Sequence, residues 1–425
     1  MLDIKFIREN QEAVKKAVGD KGVDLDLGKL LALDEQRRKL TTEIDELRRQ
    51  RRAIAQSRDI EQGKAVKQKL SALENQLTET EKSFGELMFS VPNIPSPETP
   101  VGSDATANKE IYKWGQVPKF DFEPKSHMEL GKSLDLIDFE RGAKVSGFRG
   151  YFLKNEGVLL QLGVLFYALT KVISRGFAPM MPPALVREFA LIGSGHLPFG
   201  KEEIYQIGNP HSLAEQDRGS KEKMFLAGTS EPSLLAYYAD EVLDEKDLPI
   251  KFCGISPCFR SEVGSYGKDA KGVYRVHEFM KVEQVVLCKN DIEETKKWLV
   301  ELESISKGIL EDLHLPYRVI INSTGDQGAG KYEMHDIETW MPSRKAYGET
   351  HSNSALTDWQ SRRLNIRYRD RQGKLHLVHT LNNTAIASPR ILIAILENYQ
   401  RKDGSVEIPE VLQGFVGKKE IRPKQ

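Results

Sequence analysis

The sequence predicts an α+β protein with an N-terminal antiparallel α-helical coiled-coil arm, followed by a domain built on an antiparallel β-sheet flanked by helices. Two observations lead to this prediction. Apolar residues recur at alternating spacings of four and three over residues 33–54 and 66–87, with a polar break between them, which is typical of two coiled-coil helices. Two extended segments that enclose a glycine-bearing loop over residues 259–283 predict a long β-hairpin.

Length and charge set the outer bounds. The chain has 425 residues, which favours about two or three domains and allows a large core. Lys plus Arg equal Asp plus Glu at 62 each, so no overall field attracts nucleic acid, and any polyanion must meet a local cluster. Three cysteines, Cys253, Cys258 and Cys288, make no disulfide framework and indicate a reducing cytosol.

Neither a membrane span nor an N-terminal targeting peptide is expected from the sequence. No stretch reaches the apolar run of about 18 residues that a membrane span needs. The N-terminus lacks the apolar region of a signal peptide and the acid-poor pattern of a transit peptide. The sequence therefore predicts a cytoplasmic protein.

Charge is uneven along the predicted arm. Between residues 48 and 69 only Asp59 and Glu61 are acidic, whereas the basic residues are Arg48, Arg49, Arg51, Arg52, Arg58, Lys64, Lys67 and Lys69. Arg37 and Arg51 fall on the apolar seam, where they are expected to weaken the packing of the two helices. Contacts to nucleic-acid phosphates would account for that weakness. From the residues alone, binding of a partner helix by the arm is about as favoured as binding of a polyanion.

A run rich in Pro, Gly and Ser, residues 91–107, separates the arm from the rest of the chain. The sequence therefore predicts an arm with its linker at residues 1–105 and a second domain at residues 106–425.

The predicted hairpin has one charged face and one apolar face. Successive strand side chains alternate in direction, so Arg260 and Glu262 share a face of the first strand. The same face of the second strand holds Arg275, His277, Phe279, Lys281 and Glu283. A charged row most often faces water, but a mixture of arginine, carboxylate and aromatic ring also suits a nucleotide.

This hairpin resembles the second signature motif of class II aminoacyl-tRNA synthetases, and in its longer form that of the seryl-tRNA synthetases. The matching residues are Phe259-Arg260-Ser261-Glu262 and Arg275-Val276-His277-x-Phe279-x-Lys281-Val282-Glu283. The resemblance extends along the whole chain. It implies that the arm grips tRNA, and that an apolar helix at residues 159–174 with a strand at residues 178–181 is the first motif, which builds a dimer interface.

Thr229-Ser230-Glu231 follows a predicted strand at residues 224–227. By residue type, Thr229 is a helix N-cap and Glu231 belongs to the first helical turn. The resemblance implies a second role, because the matching Thr-x-Glu element holds the ammonium group of serine. Both roles can hold at once.

A further polar run contains Glu349-Thr350-His351-Ser352. A glutamate three residues from a serine is also compatible with a helix capping box. In the family pattern, Glu349 and Ser352 face the ATP phosphates and bind Mg²⁺, an ion that prefers hard oxygen ligands and takes few of them from protein.

Near the C-terminus, residues 375–381 predict a strand. Ser388 then predicts a helix N-cap and Pro389 the first residue of a helix that runs to about residue 399. Arg390 falls in the first turn, where backbone amides favour anions. It matches the third class II motif, whose arginine contacts the γ-phosphate of ATP.

The resemblance implies a serine–tRNA ligase that uses ATP and Mg²⁺, works as a homodimer and charges tRNA(Ser); whether it also charges tRNA(Sec) stays open. Serine is activated to seryl-adenylate and then transferred to the 3′ end of the tRNA. The implied catalytic residues are Arg260, Arg390 and Glu349.

The resemblance also implies three sets of binding residues. The serine pocket comprises Thr229, Ser230, Glu231, Arg260, Glu283, Asn382 and Thr384. The ATP site comprises Arg260, Ser261, Glu262, Arg275, Val276, Phe279, Glu349, Thr350, His351, Ser352 and Arg390. The tRNA contacts are Arg48, Arg49, Arg51, Arg52, Arg58, Lys64, Lys67, Lys268 and Lys271. Many family members carry Gly-Ser-Gly at residues 383–385; Thr384 keeps a hydroxyl there, so serine recognition is expected to survive.

Two other classes of protein share part of this pattern. A truncated relative that loads amino acids onto carrier proteins has the catalytic site but lacks the arm. A non-catalytic paralogue used as a scaffold is expected to have lost Arg260, Glu283 or Arg390. The intact arm and the presence of all three residues favour the tRNA ligase.

Overall fold

The computed structural model describes residues 1–57, 59–208, 223–263 and 272–423, without the side chains of residues 55–57. The chain divides into two compact units, Met1–Ile94 and Pro95–Gln425.

The first unit is helical. Its helices are α1 (Ile4–Glu9), α2 (Gln11–Asp20), α3 (Leu27–Ser57) and α4 (Ile60–Phe89). The centre of the α3–α4 contact is built from Ile44, Leu47 and Leu70. Arg48 of α3 reaches Glu74 of α4, while the earlier Arg37 reaches the later Phe84, so the two helices run antiparallel. The predicted helical arm is confirmed.

Arg37, which was expected to weaken the seam, makes contacts there that offset the loss of an apolar residue. Its guanidinium carbon lies 4.9 Å from the ring centroid of Phe84, and its Nη2 donates to Oδ1 of Asp34 at 3.1 Å. Asp34 is fully buried and also accepts from Arg38 at 3.1 Å. Because the cation meets both an aromatic face and a carboxylate, the seam position is stabilised. Arg51, by contrast, is exposed.

The second unit combines helices with sheets. Its helices are α5 (His127–Ser133), α6 (Phe139–Ser146), α7 (Glu156–Ser174), α8 (Glu188–Ser194), α9 (Glu231–Ala236), α10 (Ile292–Asp312), α11 (Ser361–Leu364), α12 (Arg390–Asn398) and α13 (Glu410–Val416). Its strands are β1 (Lys109–Trp114), β2 (Ile137–Asp138), β3 (Phe152–Leu153), β4 (Ala178–Met180), β5 (Leu185–Arg187), β6 (Met224–Leu226), β7 (Val242–Asp244), β8 (Ile250–Phe259), β9 (Glu278–Cys288), β10 (Tyr317–Ile321), β11 (Glu333–Met341), β12 (Ala346–Thr357), β13 (Arg367–Arg369), β14 (Leu375–Leu377), β15 (His379–Ala387), β16 (Val406–Glu407) and β17 (Glu420–Ile421).

Within the described residues, eight strands form the main sheet in the order β1-β10-β11-β12-β15-β9-β8-β4. Neighbours are antiparallel except β4, which pairs with β8 in parallel. Buried residues of α7, α10 and α12 form one core with the strands. An α+β unit built on a mostly antiparallel sheet flanked by helices is confirmed. The strand predicted at residues 375–381 is divided between β14 and β15.

The β8–β9 ladder is shorter than the predicted hairpin. It ends where Phe259 pairs with Glu278, so Arg260, Glu262 and Arg275 lie beyond the strands and their faces do not follow strand alternation. Glu262 has a φ of 53°, a left-handed conformation that is incompatible with a strand.

Two predicted helix caps are wrong. Helix α12 begins at Arg390, because the Ser388 hydroxyl is bonded to the backbone of Met280 on β9 instead of capping a helix. Helix α9 begins at Glu231, and Thr229 does not cap it, because the Thr229 hydroxyl accepts from Lys281. In both cases a tertiary contact takes the side chain that local propensity assigns to the helix end.

Within the described residues, helix α7 meets a length-and-composition test for a membrane span, although Gln161 and Lys171 interrupt its apolar run. This helix has 19 residues, and its most apolar window has a mean hydropathy of 1.6. Core helices of soluble proteins also reach such values, and the buried residues of α7 belong to the core: Gly157, Leu160, Gly163, Val164, Leu165, Ala168 and Val172. Its apolar composition is therefore accounted for in part by packing against the sheet.

Candidate active site

Three segments that are far apart in sequence line one cavity of the second unit. The lining residues are Arg260, Glu262, Tyr274, Arg275, Val276, Phe279, Lys281, Glu349, Thr350, His351, Thr384, Ala387, Ser388, Pro389 and Arg390. Arg260 and Arg390, which are separated by 130 positions, thus face the same space. Most of the side chains expected to bind ATP are in this set.

Arg260 is fixed against an aromatic ring. Its guanidinium carbon lies 5.4 Å from the ring centroid of Phe279, and its Nε donates to the carbonyl oxygen of Gly228 at 3.4 Å. The Arg260 backbone N–H donates to the carbonyl of His277 at 3.0 Å. A cation and a ring held side by side can serve a phosphate and a base.

Glu262 is held in place by two arginines. Nη1 of Arg275 donates to Oε2 of Glu262 at 3.1 Å, and Nη1 of Arg149 donates to the Glu262 carbonyl oxygen at 2.9 Å. These contacts stabilise the left-handed backbone at Glu262. Its carboxylate is therefore an acceptor of fixed position, suited to an amino group of a ligand.

Arg390 is fixed by a second set of contacts. Its Nη1 lies 3.0 Å from Oε2 of Glu349 and donates to the Glu349 carbonyl oxygen at 3.0 Å. Its Nε donates to the carbonyl oxygen of Tyr274 at 3.1 Å, and its guanidinium carbon lies 4.5 Å from the Tyr274 ring centroid. Arg344 lies over the same ring at 4.4 Å. Two guanidinium groups therefore meet at one tyrosine.

Glu231 is a buried carboxylate with oriented neighbours. Its Oε1 accepts from Nε2 of Gln360 at 2.6 Å and from Nδ2 of Asn382 at 2.8 Å. Thr380 donates to Oε1 of Gln360 at 2.6 Å, which turns the Gln360 amide nitrogen toward Glu231. Burial alone raises the pKa of Glu231, but Lys331 and the other partners outweigh it and lower the pKa. The site therefore holds an anion that an ammonium group can approach.

Thr229, Lys281 and Glu283 form a neighbouring polar group. Nζ of Lys281 lies 2.5 Å from Oε2 of Glu283 and donates to the Thr229 hydroxyl at 3.1 Å. Burial raises the pKa of Glu283, and Lys281 opposes the shift. Thr384 lies opposite Glu283 in the β9–β15 ladder and lines the cavity. A carboxyl and a hydroxyl from adjacent strands can thus meet a small hydroxylated ligand.

Glu349 and Ser352 lie beside a carboxyl that the sequence analysis did not assign. Asp336 is opposite Ser352 in the β11–β12 ladder and bonded to it, and Asn322 donates to Oδ2 of Asp336 at 2.8 Å. Burial and the charge of Glu349 raise the pKa of Asp336 to about 8. Two neighbouring carboxyl groups and a serine hydroxyl offer the hard oxygen donors that Mg²⁺ prefers.

In the part of the chain that the structure describes, no group of three or more His, Cys, Asp or Glu side chains is arranged to hold a metal. Mg²⁺ commonly takes one or two carboxylates and completes its shell with water and phosphate. The small donor set around Glu349 is therefore compatible with this ion.

Several residues that were predicted to contact a ligand have side chains that are hydrogen-bonded to other parts of the protein. Ser230 is bonded to Ser256 at 2.8 Å, the Ser261 hydroxyl donates to the Glu202 carbonyl at 2.6 Å, and Thr350 is bonded to Thr339 at 2.7 Å. His351 lines the cavity, but burial lowers its pKa to about 3, so it is neutral. Val276 contributes an apolar wall.

The basic side chains of the arm face solvent. Those described are Arg48, Arg49, Arg51, Arg52, Lys64 and Lys67, all exposed. Among these described side chains, Arg48 and Arg49 form ion pairs with acids of the arm, Glu74 at 2.9 Å and Glu46 at 3.6 Å. The predicted contacts Arg58, Lys268 and Lys271 lie outside the described residues.

Lys281, Arg344 and Asp336 are among the residues near the site that were not predicted as site residues. Strand alternation had placed Lys281 on the charged face of the hairpin, and this was a usable signal. Arg344 and Asp336 gave no such signal, because each reaches the site through a tertiary contact, with the Tyr274 ring and with Ser352 respectively.

Family models and curated relatives of one family match this chain, and the relatives match it along nearly its whole length. The model of the seryl-tRNA synthetase N-terminal domain matches residues 1–95, and that of the tRNA synthetase class II core domain (G, H, P, S and T) matches residues 213–399. The serine–tRNA ligase of Deinococcus radiodurans is 46% identical over 431 residues, covering 99% of each chain. That of Treponema denticola is 43% identical and covers 98% of this chain and 99% of its own.

Solved structures agree as well. The seryl-tRNA synthetase of Pyrococcus horikoshii, complexed with ATP, superposes with a TM-score of 0.89 at 38% identity and covers 100% of both chains. The cytoplasmic serine–tRNA ligase of Naegleria fowleri, in complex with AMP, has a TM-score of 0.87 at 29% identity and covers 100% of this chain and 99% of its own.

Proposed function

The chain belongs to the seryl-tRNA synthetases, and we propose that it makes seryl-adenylate in the cavity between Arg260 and Arg390. It is a serine–tRNA ligase that uses ATP and Mg²⁺ and functions as a dimer. The observation that carries the proposed site is that three distant segments bring three arginines, two aromatic rings and two glutamates to one cavity. The exposed apolar side chains of α7, Leu159, Leu162 and Phe166, offer a surface for the dimer contact.

The ATP roles follow from what each side chain can offer. Arg260 contacts the α-phosphate and the serine carboxylate, and Phe279 beside it stacks on adenine. Glu262, anchored by Arg275, accepts from the adenine amino group. Arg390 contacts the γ-phosphate. When bound, Mg²⁺ would be held by oxygens of Glu349 and Ser352 and would neutralise phosphate charge.

The serine roles divide between two polar groups. The ionised Glu231, oriented by Gln360 and Asn382, binds the ammonium of serine together with Thr229. Glu283 and Thr384 bind its hydroxyl. Alanine would leave these buried groups unpaired, and sites of this kind reject the analogue that lacks the hydroxyl by roughly 10⁴-fold or more.

The chemistry needs no covalent intermediate on the protein. A carboxylate oxygen of serine bonds to the α-phosphorus of ATP while the bond from that phosphorus to the bridging oxygen breaks, which releases pyrophosphate. The terminal ribose hydroxyl of tRNA then attacks the seryl carbonyl carbon, and AMP leaves. Arg260 and Arg390 contribute by positioning the substrates and neutralising developing charge.

The arm supplies the tRNA contacts. Its exposed cations, among them Arg52, Lys64 and Lys67, can replace counterions along a nucleic-acid backbone. We assign residues 1–105 to tRNA binding with the linker and residues 106–425 to catalysis. The cytoplasm, where tRNA is charged for protein synthesis, is the proposed location.

Serine-dependent exchange of pyrophosphate into ATP tests the proposed site. Glu283→Gln is expected to lower kcat/KM for serine by about 10²-fold or more, because an amide replaces the buried carboxyl that is proposed to bind the serine hydroxyl. Glu293→Gln, at an exposed position of α10, is the matched control and should leave exchange unchanged. Normal exchange in Glu283→Gln would overturn the assignment of the pocket.

A further inference from the structure

A buried histidine–carboxylate pair lies behind the ATP side of the cavity. His127 is the first residue of α5 and is 7% exposed, and its Nδ1 lies 2.9 Å from Oε1 of the fully buried Glu397 on α12. Glu397 also accepts from the His127 backbone N–H at 2.9 Å. It further accepts from the Ser343 N–H at 3.0 Å and from the Ser343 hydroxyl at 2.9 Å. The carboxylate is thus fixed from several sides.

The second ring nitrogen of His127 holds the backbone that leads into β9. The N–H of Val273 donates to Nε2 of His127 at 3.3 Å. A backbone N–H can only donate, so Nε2 carries no proton, and the ring proton sits on Nδ1 and points to Glu397. Gly272 approaches so closely that a Cβ there would lie 2.1 Å from Nε2, and its φ is +68°. The histidine and the glycine therefore fit one another closely.

The held residue adjoins the ATP site. Tyr274 follows Val273, and its carbonyl oxygen accepts from Nε of Arg390 at 3.1 Å. The Tyr274 ring lies 4.5 Å from the guanidinium carbon of Arg390. A shift of Val273 would therefore move two of the contacts that fix Arg390, the other two being to Glu349. Glu231 is on α9 and Glu283 is deep in β9, so the serine pocket does not depend on this hydrogen bond.

We propose that His127 is a positioning residue for the ATP side of the reaction: with Glu397 it fixes Val273, and through Tyr274 it sets the place of Arg390. This role of His127 rests on the ATP site proposed above. The role is indirect, because His127 is absent from the cavity lining. Its loss should therefore act on ATP and pyrophosphate and not on serine.

Two substitutions at His127 distinguish the contributions of its two ring nitrogens. His127→Gln keeps an acceptor that can reach the Val273 N–H, whereas His127→Asn keeps a donor toward Glu397 but is too short to reach Val273. We expect His127→Asn to raise KM for ATP in pyrophosphate exchange by roughly five- to tenfold, the effect of one hydrogen bond left unmade. KM for serine should stay within about twofold, and His127→Gln should restore most of the ATP affinity.

A second variant tests the same contact from the other side. Gly272→Ala should push against His127 Nε2 and raise KM for ATP in the same way, whether or not His127→Asn folds. His376→Gln is the matched control, since His376 forms another histidine–carboxylate pair, with Asp370 at 2.8 Å, on β14.

The proposal is overturned if Gly272→Ala leaves KM for ATP unchanged. It is also overturned if KM for serine rises equally, or if His127→Gln and His127→Asn behave alike. Serine-dependent exchange by the unmodified protein tests the proposed function separately.

Discussion

The carboxylate of Glu349 and the guanidinium of Arg390 form an ion pair of 3.0 Å that joins β12 to the first residue of α12. Burial alone raises the pKa of Glu349, but the charge of Arg390 outweighs it and keeps the pKa low. The two groups assigned to Mg²⁺ and to the γ-phosphate thus stabilise each other in their charged forms. In the proposed ATP site, this pair is already in place before a metal-bound polyphosphate binds.

Loss of the Arg390 charge should be costly for ATP. Arg390→Gln is expected to lower kcat/KM for ATP in pyrophosphate exchange by about 10²- to 10³-fold, because it removes a phosphate contact and leaves Glu349 without its partner. Arg401→Gln, which removes an exposed arginine paired with Glu407, serves as the control. An equal effect of both substitutions would contradict the assignment.

Arg344 is expected to assist the departing pyrophosphate. It lies over the same ring as Arg390 but is exposed, so Arg344→Ala should raise KM for ATP and for pyrophosphate by roughly three- to tenfold with KM for serine unchanged. Lys345→Ala removes the neighbouring exposed cation and is the matched control. Unchanged KM values in Arg344→Ala would remove this residue from the site.

Substitutions in the arm should separate tRNA charging from serine activation. The double substitution of Arg52 and Lys64 by alanine is expected to leave pyrophosphate exchange intact, to raise KM for tRNA by about tenfold and to reduce the dependence of tRNA affinity on salt. Lys39→Ala, an exposed cation of α3 outside the basic segment, should change neither activity. Loss of exchange in the arm variant would show that the division of labour is wrong.

Stability should depend on pH through His335. Its ring nitrogens face Glu303 at 2.7 Å and Glu333 at 3.0 Å. Burial alone would lower the pKa of His335, but the two carboxylates outweigh it and raise the pKa to about 9. Because this pKa is above that of an unfolded histidine, the stabilisation is fully present below about pH 6.5 and is lost as pH rises through about 9.

Melting temperatures of the unmodified protein and of His335→Gln test this dependence. The difference between them should be largest near pH 6 and should shrink by about pH 10. A difference that is constant over this range would mean that His335 acts by packing and not by charge.

The sequence alone determined the kind of protein and the order of its parts. Heptad spacing predicted the two arm helices, because a repeated apolar seam has few other ways to be buried. The residues around Arg260 suited a nucleotide by their types, while the resemblance of the segments around Arg260, Glu349 and Arg390 to the class II motifs implied ATP and serine chemistry.

Tertiary structure alone decided which partners the polar side chains bind. Ser388 and Thr229 were predicted as helix caps, but Met280 and Lys281 take their hydroxyls. A local pattern cannot show this, because the competing partner lies on a distant strand. Asp336 and Arg344 reach the site for the same reason, through contacts with Ser352 and Tyr274. Packing brings these groups together, and the low dielectric of the interior then sets which of them stay charged.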